Sequence, residues 1–155
     1  MPIRRLLYTS ASRLEPAELT VEEQVADIVQ QAAKRNKRDG VTGLLVFVEG
    51  QFIQIIEGES TAVEATFERI CCDFRHAQVK LVDLVAVKDR LFAGWSMAHL
   101  CEGEDPGSSL DEDLRNVRYL LGVNARVAVE RMHEYLLGRS EIPISALAEG
   151  EQLPG

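Results

Sequence analysis

Gln54 is the residue of this chain whose chemistry most needs explaining. It sits in Gly50-Gln51-Phe52-Ile53-Gln54-Ile55-Ile56-Glu57-Gly58. Side chains there alternate as in a buried strand, with Phe52, Gln54 and Ile56 on one face and Ile53 and Ile55 on the other. A primary amide among apolar neighbours costs on the order of 1–3 kcal/mol if its groups go unpaired. It also carries a donor end and an acceptor end, so it can bond two different partners. Tyr8 and Asn36 are the other polar groups placed to face inward. Alone, Tyr8 reads as a core tyrosine whose hydroxyl reaches solvent, and Asn36 as a helix-end residue. Together, several inward polar groups on an apolar interface call for a ligand or a network that satisfies them.

The elements that must position these groups follow from periodicity. Ile3 to Ser10 predicts a strand with Leu6, Tyr8 and Ser10 on one face. Thr20 and Glu23 form a capping box for a helix from Val21 to Arg35, with Val21, Val25, Ile28, Val29 and Ala32 as its apolar stripe and Asn36 at its exit. The apolar run Val41 to Val48 predicts a second strand, turned at Glu49-Gly50 into the Gln54 strand. Thr61 and Glu64 cap a second helix to Asp73, with Val63, Phe67, Ile70 and Cys71 on its buried side. Val79 to Lys88 gives a fourth strand, and Phe92 to Leu100 a fifth that contains Trp95 and Met97.

This βαββαββ order predicts an α+β, ferredoxin-like, five-stranded mixed sheet with two helices on one face. The first and third strands are then central neighbours, which sets Tyr8 beside Gln54. The pattern leaves the place of the fifth strand open. After the acidic, loop-forming run Glu102 to Gly107, a C-terminal helical pair is expected. One helix, opened by Ser109, carries Leu110, Leu114, Val117 and Leu121; the other, opened by Asn124, carries Val127, Met132, Tyr135 and Leu136. The expected organisation is a sensory unit over 1–103, a two-helix extension over 104–140 and a flexible tail over 141–155. The apolar stripes of the last two helices predict a homo-oligomer, unless they pack on the sheet's uncovered face.

The totals exclude other classes. A net charge of −8 over 155 residues, with no basic run longer than Lys34-Arg35 or Lys37-Arg38, argues against nucleic acid as a partner. Met1 to Arg5 leads into a strand rather than a long apolar segment, so neither a signal peptide nor a membrane span is expected, and a cytoplasmic location is. Cys71, Cys72 and Cys101 lack zinc-site spacing, also when His76 is considered with them, and read as reduced thiols.

The ordered set Leu7-Tyr8-Thr9-Ser10, Asn36, Gly40-Val41-Thr42-Gly43-Leu44-Leu45, Phe52-Ile53-Gln54-Ile55-Ile56-Glu57-Gly58, Asp73-Phe74-Arg75-His76 and Trp95-Ser96-Met97 resembles the BLUF family, the sensors of blue light using FAD. The similarity spans about the first hundred residues. It implies FAD as cofactor, with FMN or riboflavin as alternatives, held between the two helices. Ile28 and Ile70 then lie against the ring faces, Asn36 at the N3/C4=O edge, and Arg75 and His76 near C2=O and the ribityl chain. Phe52 belongs to the same cofactor-binding set. By the same resemblance Gln54 bridges Tyr8 and the ring, Tyr8 supplies an electron and then a proton under illumination, and Gln54 rotates or tautomerises. Trp95 and Met97 are implied as the relay to a separate effector protein. Arg35 and Phe47 depart mildly from the commonest family residues at their positions.

Two further readings compete. A flavin-dependent redox enzyme is disfavoured by the absence of a nicotinamide-binding glycine fingerprint and of a second acid/base cluster. A flavin-free ferredoxin-like interaction module would explain the fold alone.

Overall fold

In the computed structural model, which describes residues 3–14, 19–73, 76–103 and 107–138, the strands Ile3–Ser12 (β1), Thr42–Val48 (β2), Gln51–Gly58 (β3), His76–Val87 (β4) and Ala98–Cys101 (β5) form one mixed sheet. Their order is β4-β1-β3-β2-β5. β1 pairs antiparallel with both β3 and β4, β2 antiparallel with β3, and β5 parallel with β2. The fifth strand is thereby placed at the edge beside β2. The α+β, ferredoxin-like arrangement expected from the element order is the one observed.

Side-chain alternation divides the sheet into two apolar faces. Leu6, Tyr8, Leu45, Phe47, Phe52 and Ile56 meet Val25, Ile28 and Val29 of helix Val21–Asp39 (α1) and Val63 of helix Ser60–Cys71 (α2). Leu7, Leu44, Val46, Ile53 and Ile55 meet Leu110, Leu114 and Val117 of helix Leu110–Leu121 (α3). The same face meets Ala128, Val129, Met132 and Leu136 of helix Ala125–Gly138 (α4). β2 and β3 are covered on both sides, which is why they read as nearly continuous apolar runs. The stripes of the last two helices are thus spent on the sheet's second face.

Several boundaries differ from the sequence pattern, for identifiable reasons. The Thr20–Glu23 capping box forms, but α1 runs on to Asp39 and ends at Gly40, whose φ of 71° is the left-handed conformation glycine tolerates. Asn36 is therefore inside the last turn rather than at the exit. α2 starts at Ser60, with Glu59 as its N-cap and no side-chain cap bond, so Thr61 does not cap it. Cys71, expected on the buried side of α2, is exposed, and Thr66 is buried instead, its hydroxyl donating to the Ala62 carbonyl at 2.8 Å. β4 begins earlier than predicted, at His76.

The fifth strand is shorter than the pattern predicts, because a turn in which the Trp95 N–H donates to the Phe92 carbonyl at 3.0 Å and Gly94 takes a φ of 93° occupies its first half. Trp95 and Met97 consequently lie in the loop before β5. Asn124 opens α4 as expected, accepting from the Val127 N–H at 3.3 Å, whereas Ser109 opens α3 without a cap bond of its own. The two-residue turn Glu49-Gly50 has positive φ at both positions, 51° and 73°, as a tight hairpin with right-handed twist requires. The expected tail, 141–155, lies outside the described residues.

Gly43 is the point of tightest backbone approach. A Cβ there would collide with the Ile55 carbonyl and come within 3.1–3.3 Å of further Ile55 and Ile56 backbone atoms, none of which can rotate away. Replacing Gly43 by Ala should lower unfolding free energy by about 1–3 kcal/mol or more, measured by urea denaturation; an unchanged midpoint would contradict this packing.

Candidate functional site

Because β1 and β3 pair with Tyr8 opposite Gln54, the phenol and the amide leave the sheet side by side on the face covered by α1 and α2. The Tyr8 hydroxyl donates to Gln54 Oε1. Both side chains are buried, Tyr8 completely and Gln54 to 5% exposure, and the Tyr8 ring packs on Phe67 of α2 with centroids 5.5 Å apart. The other end of the amide, Nε2, points to the Met97 thioether sulfur at 3.8 Å, a weak acceptor.

Between α1 and α2, with Gln54 on its wall, is a cleft of about 390 Å³, within the range of small-molecule sites. α1 lines it with Ile28, Gln31, Ala32, Arg35 and Asn36, and α2 and the residues after it with Thr66, Arg69, Ile70, Cys72 and Asp73. Asn36 is buried, and its Nδ2 donates to the Ser96 carbonyl at 2.7 Å. Its own oxygen accepts no bond among the described residues, and neither does the second amide hydrogen of Gln54 find an acceptor there. A buried acceptor and a buried donor are thus left over at one cleft.

The structure brings Tyr8, Gln54, Asn36 and Met97 together and sets Ile28 and Ile70 on the cleft walls. Phe52 shares the Gln54 face but packs on Phe47, ring centroids 5.3 Å apart, and does not line the cleft. Trp95 packs with the cluster on the α3/α4 face, so of the implied relay pair only Met97 contacts the amide. Arg75 lies outside the described residues; His76 pairs through its backbone with Ser12, and its side chain is not described. Sequence reasoning did not single out Gln31, Thr66, Arg69 or Asp73, although positions 28, 31, 32, 35 and 36, and 66, 69 and 70, fall on one helical face each. It also passed over Glu57, a fully buried carboxylate.

Comparison with known proteins decides the family. The family model for BLUF, described as sensors of blue-light using FAD, matches residues 3–98. The chain belongs to the BLUF family. A photoactivated adenylate cyclase subunit alpha-like protein FB of Euglena gracilis is 36% identical over 95 residues, covering 61% of this chain and 9% of that protein. The blue light- and temperature-regulated antirepressor BluF of Escherichia coli K12 is 34% identical over 57 residues, 37% of this chain and 14% of the relative. The chain therefore spans only a small part of the curated relatives it matches. Among solved structures, the dark state of BlrB, a BLUF protein, superposes with a TM-score of 0.72 at 28% identity, covering 89% of this chain and 97% of that one. A bacterial light-regulated adenylyl cyclase superposes at 0.64 and 26% identity, over 82% of this chain and 35% of that chain.

As a BLUF protein the chain is a blue-light sensor that uses flavin. The cleft fits such a group on its own observations: its volume, the apolar side chains of Ile28, Ala32 and Ile70 on its two helical walls, and the unmatched Asn36 oxygen and Gln54 N–H, which offer an acceptor and a donor to a heterocycle edge that carries both. FAD is the cofactor the family description gives.

Burial pushes the Tyr8 phenol well above its ordinary 10.0, with smaller pushes in the same direction from Cys71 and Asp73. The phenol stays protonated and able to donate to Gln54 across the neutral range. The native state also holds that proton where the unfolded chain releases it, so stability contributed by Tyr8 is intact below 10.0 and lost as pH rises above it. Thermal unfolding followed against pH should show a decline above 10.0 that is shallower in Tyr8→Phe; identical slopes in the two proteins would contradict the burial argument.

Proposed function

We propose that Tyr8 and Gln54 are the photoactive pair of this sensor, with the cofactor held by Asn36, Ile28 and Ile70 and by the family-implied Arg75 and His76, while Phe52 backs the Gln54 face from the core. The observation that supports it is the buried phenol–amide hydrogen bond at the cleft wall, next to one unspent amide donor. Excited by blue light, a bound flavin supplies a strong oxidant there. Tyr8 is the tyrosine within one amide of that position, and its hydroxyl has a hydrogen-bonded acceptor ready to take its proton. Gln54 can then rotate or tautomerise, exchanging the ends it presents to Tyr8, to Met97 and to the cleft. Return of the electron and proton leaves Tyr8 as it began, while the new amide setting holds until thermal relaxation. Two hydrogen-bonded settings of one side chain make a bistable element, which a switch requires.

We assign output to residues 104–140, against a sensory unit at 1–103. Met97 touches Gln54, and the neighbouring Trp95 packs on the cluster that includes α3 and α4; a moved Met97 can therefore reach those helices. The chain itself senses rather than catalyses, and its effector is a separate protein. Exposed Tyr119 and Val123 at the end of α3 offer that partner apolar surface. Self-association of the chain would draw on exposed apolar residues such as these, because the α3/α4 stripes are packed inside. The charge of −8 argues against nucleic acid as the partner. Among the described residues no helix is long and apolar enough to cross a membrane. A cytoplasmic location suits Cys71, Cys72 and Cys101, none of which is in a disulfide.

Flavin-loaded protein should be yellow and show a reversible red shift under blue light. Gln54→Leu should keep the colour and lose the shift, and Tyr8→Phe should lose the productive photocycle. Bleaching without recovery would favour redox turnover, and a full shift in Gln54→Leu would refute the assignment.

A further inference from the structure

Glu57 is a carboxylate with no exposed surface that the switch as described does not use. Its position is unusual in what it ties together. Oε2 accepts the Leu91 N–H at 2.9 Å and Oε1 the Phe92 N–H at 2.8 Å, while Arg5 Nε donates to Oε2 at 2.9 Å. Arg90 closes the arrangement from outside, donating to the Thr42 hydroxyl at 3.1 Å and to the Glu57 carbonyl at 3.4 Å. Charge-assisted bonds from two consecutive backbone amides fix a loop far better than solvent contacts do. A buried ion pair is a weak source of stability but can specify one arrangement over its alternatives.

The loop so fixed is the one that carries Met97. It begins at Leu91 and Phe92 on Glu57; Trp95 N–H then donates to the Phe92 carbonyl, and the Trp95 carbonyl accepts from Gly43, both at 3.0 Å. The Ser96 carbonyl accepts from Asn36 at 2.7 Å, and the loop ends with Met97 Sδ against Gln54 Nε2. Glu57 and Gln54 lie on the same strand, β3, three positions apart and on opposite faces. One strand thus grips the loop at its start through Glu57 and meets its end through Gln54.

We propose that Glu57 is a positioning residue of the photoswitch: by holding Leu91 and Phe92 it sets how closely Met97 approaches the Gln54 amide, and so how long the light-induced setting persists. The inference rests on the reading of Gln54 as the switch. Glutamine is the informative replacement, since it keeps size and shape but has one oxygen, and its NH₂ would face a backbone N–H.

The test is the thermal dark-recovery rate of flavin-loaded wild type, Glu57→Gln, Met97→Ala and the double variant. Glu57→Gln should keep flavin and the red shift but change the recovery rate by at least about threefold, the scale of one lost hydrogen bond. In the Met97→Ala background the same replacement should change it little, because there is no sulfur left to position. Recovery unaltered in Glu57→Gln, or an effect undiminished without Met97, overturns the proposal. Should Glu57→Gln fail to fold, the Leu91 and Phe92 amide resonances of wild type decide instead: they should shift under blue light together with the Met97 methyl, and constancy overturns the proposal. A wild type without any reversible shift would overturn the switch reading and this inference with it. A wild type that shifts beside a Glu57→Gln that recovers normally overturns this inference alone.

Discussion

The register of β1 against β3 is the constraint on which the rest of the structure depends. Antiparallel pairing sets Tyr8 opposite Gln54, and because side chains alternate, a slip of one residue would send one of the pair to the α3/α4 face and break the bond between them. The register is enforced from both sides. Leu6, Phe52 and Ile56 must lie under α1 and α2, and Leu7, Ile53 and Ile55 under α3 and α4, so a one-residue slip leaves neither core apolar. The tight turn Glu49-Gly50 fixes β2 against β3 in the same way. The two cores therefore carry a functional burden: they hold a phenol and an amide in hydrogen-bond contact without help from a loop.

A sheet covered on both faces also explains how a change confined to one amide can matter elsewhere. Gln54 faces the cleft, but the segment before β5 crosses the edge of the sheet, with Met97 in one core and Trp95 against the other. That segment is short and anchored at several points, by Glu57, Gly43 and Asn36. A displacement at Met97 is then hard to absorb locally, because Met97 packs in the core under α1 while its neighbour Trp95 packs against the core under α3 and α4. Exposed apolar residues of that pair, Tyr119 and Leu137, lie away from the sheet contacts.

Much of this was legible in the residues. Period-two alternation around Gln54 and Tyr8 sufficed to place both on one face, and the βαββαββ order sufficed to make their strands neighbours. Boundaries were less legible where tertiary bonds override local pattern. Phe92 to Leu100 has strand-like composition, yet the turn at Gly94 and the carboxylate of Glu57 take its first half out of the sheet. Asn36 carries the propensity of a helix end, but Gly40 four residues on can adopt the left-handed conformation at lower strain and so becomes the cap. Cys71 fits the apolar stripe of α2, yet the helix stops there, and Thr66 can be buried because its hydroxyl bonds within its own helix. Glu57 lies in the stretch around Gln54, but nothing local marks it for burial, which depends on backbone amides more than thirty residues away.

The central claim is that one carboxamide has two hydrogen-bonded settings and that light exchanges them. Side-chain amide NMR of flavin-loaded protein labelled with ¹⁵N at glutamine, recorded in darkness and under blue light, addresses it most directly. The expected result is that the Gln54 Nε2 protons, assigned by their absence in a substituted protein, move on illumination and return in the dark with the same time course as the absorption shift. A Gln54 resonance that stays in place while the absorption shifts would contradict the account.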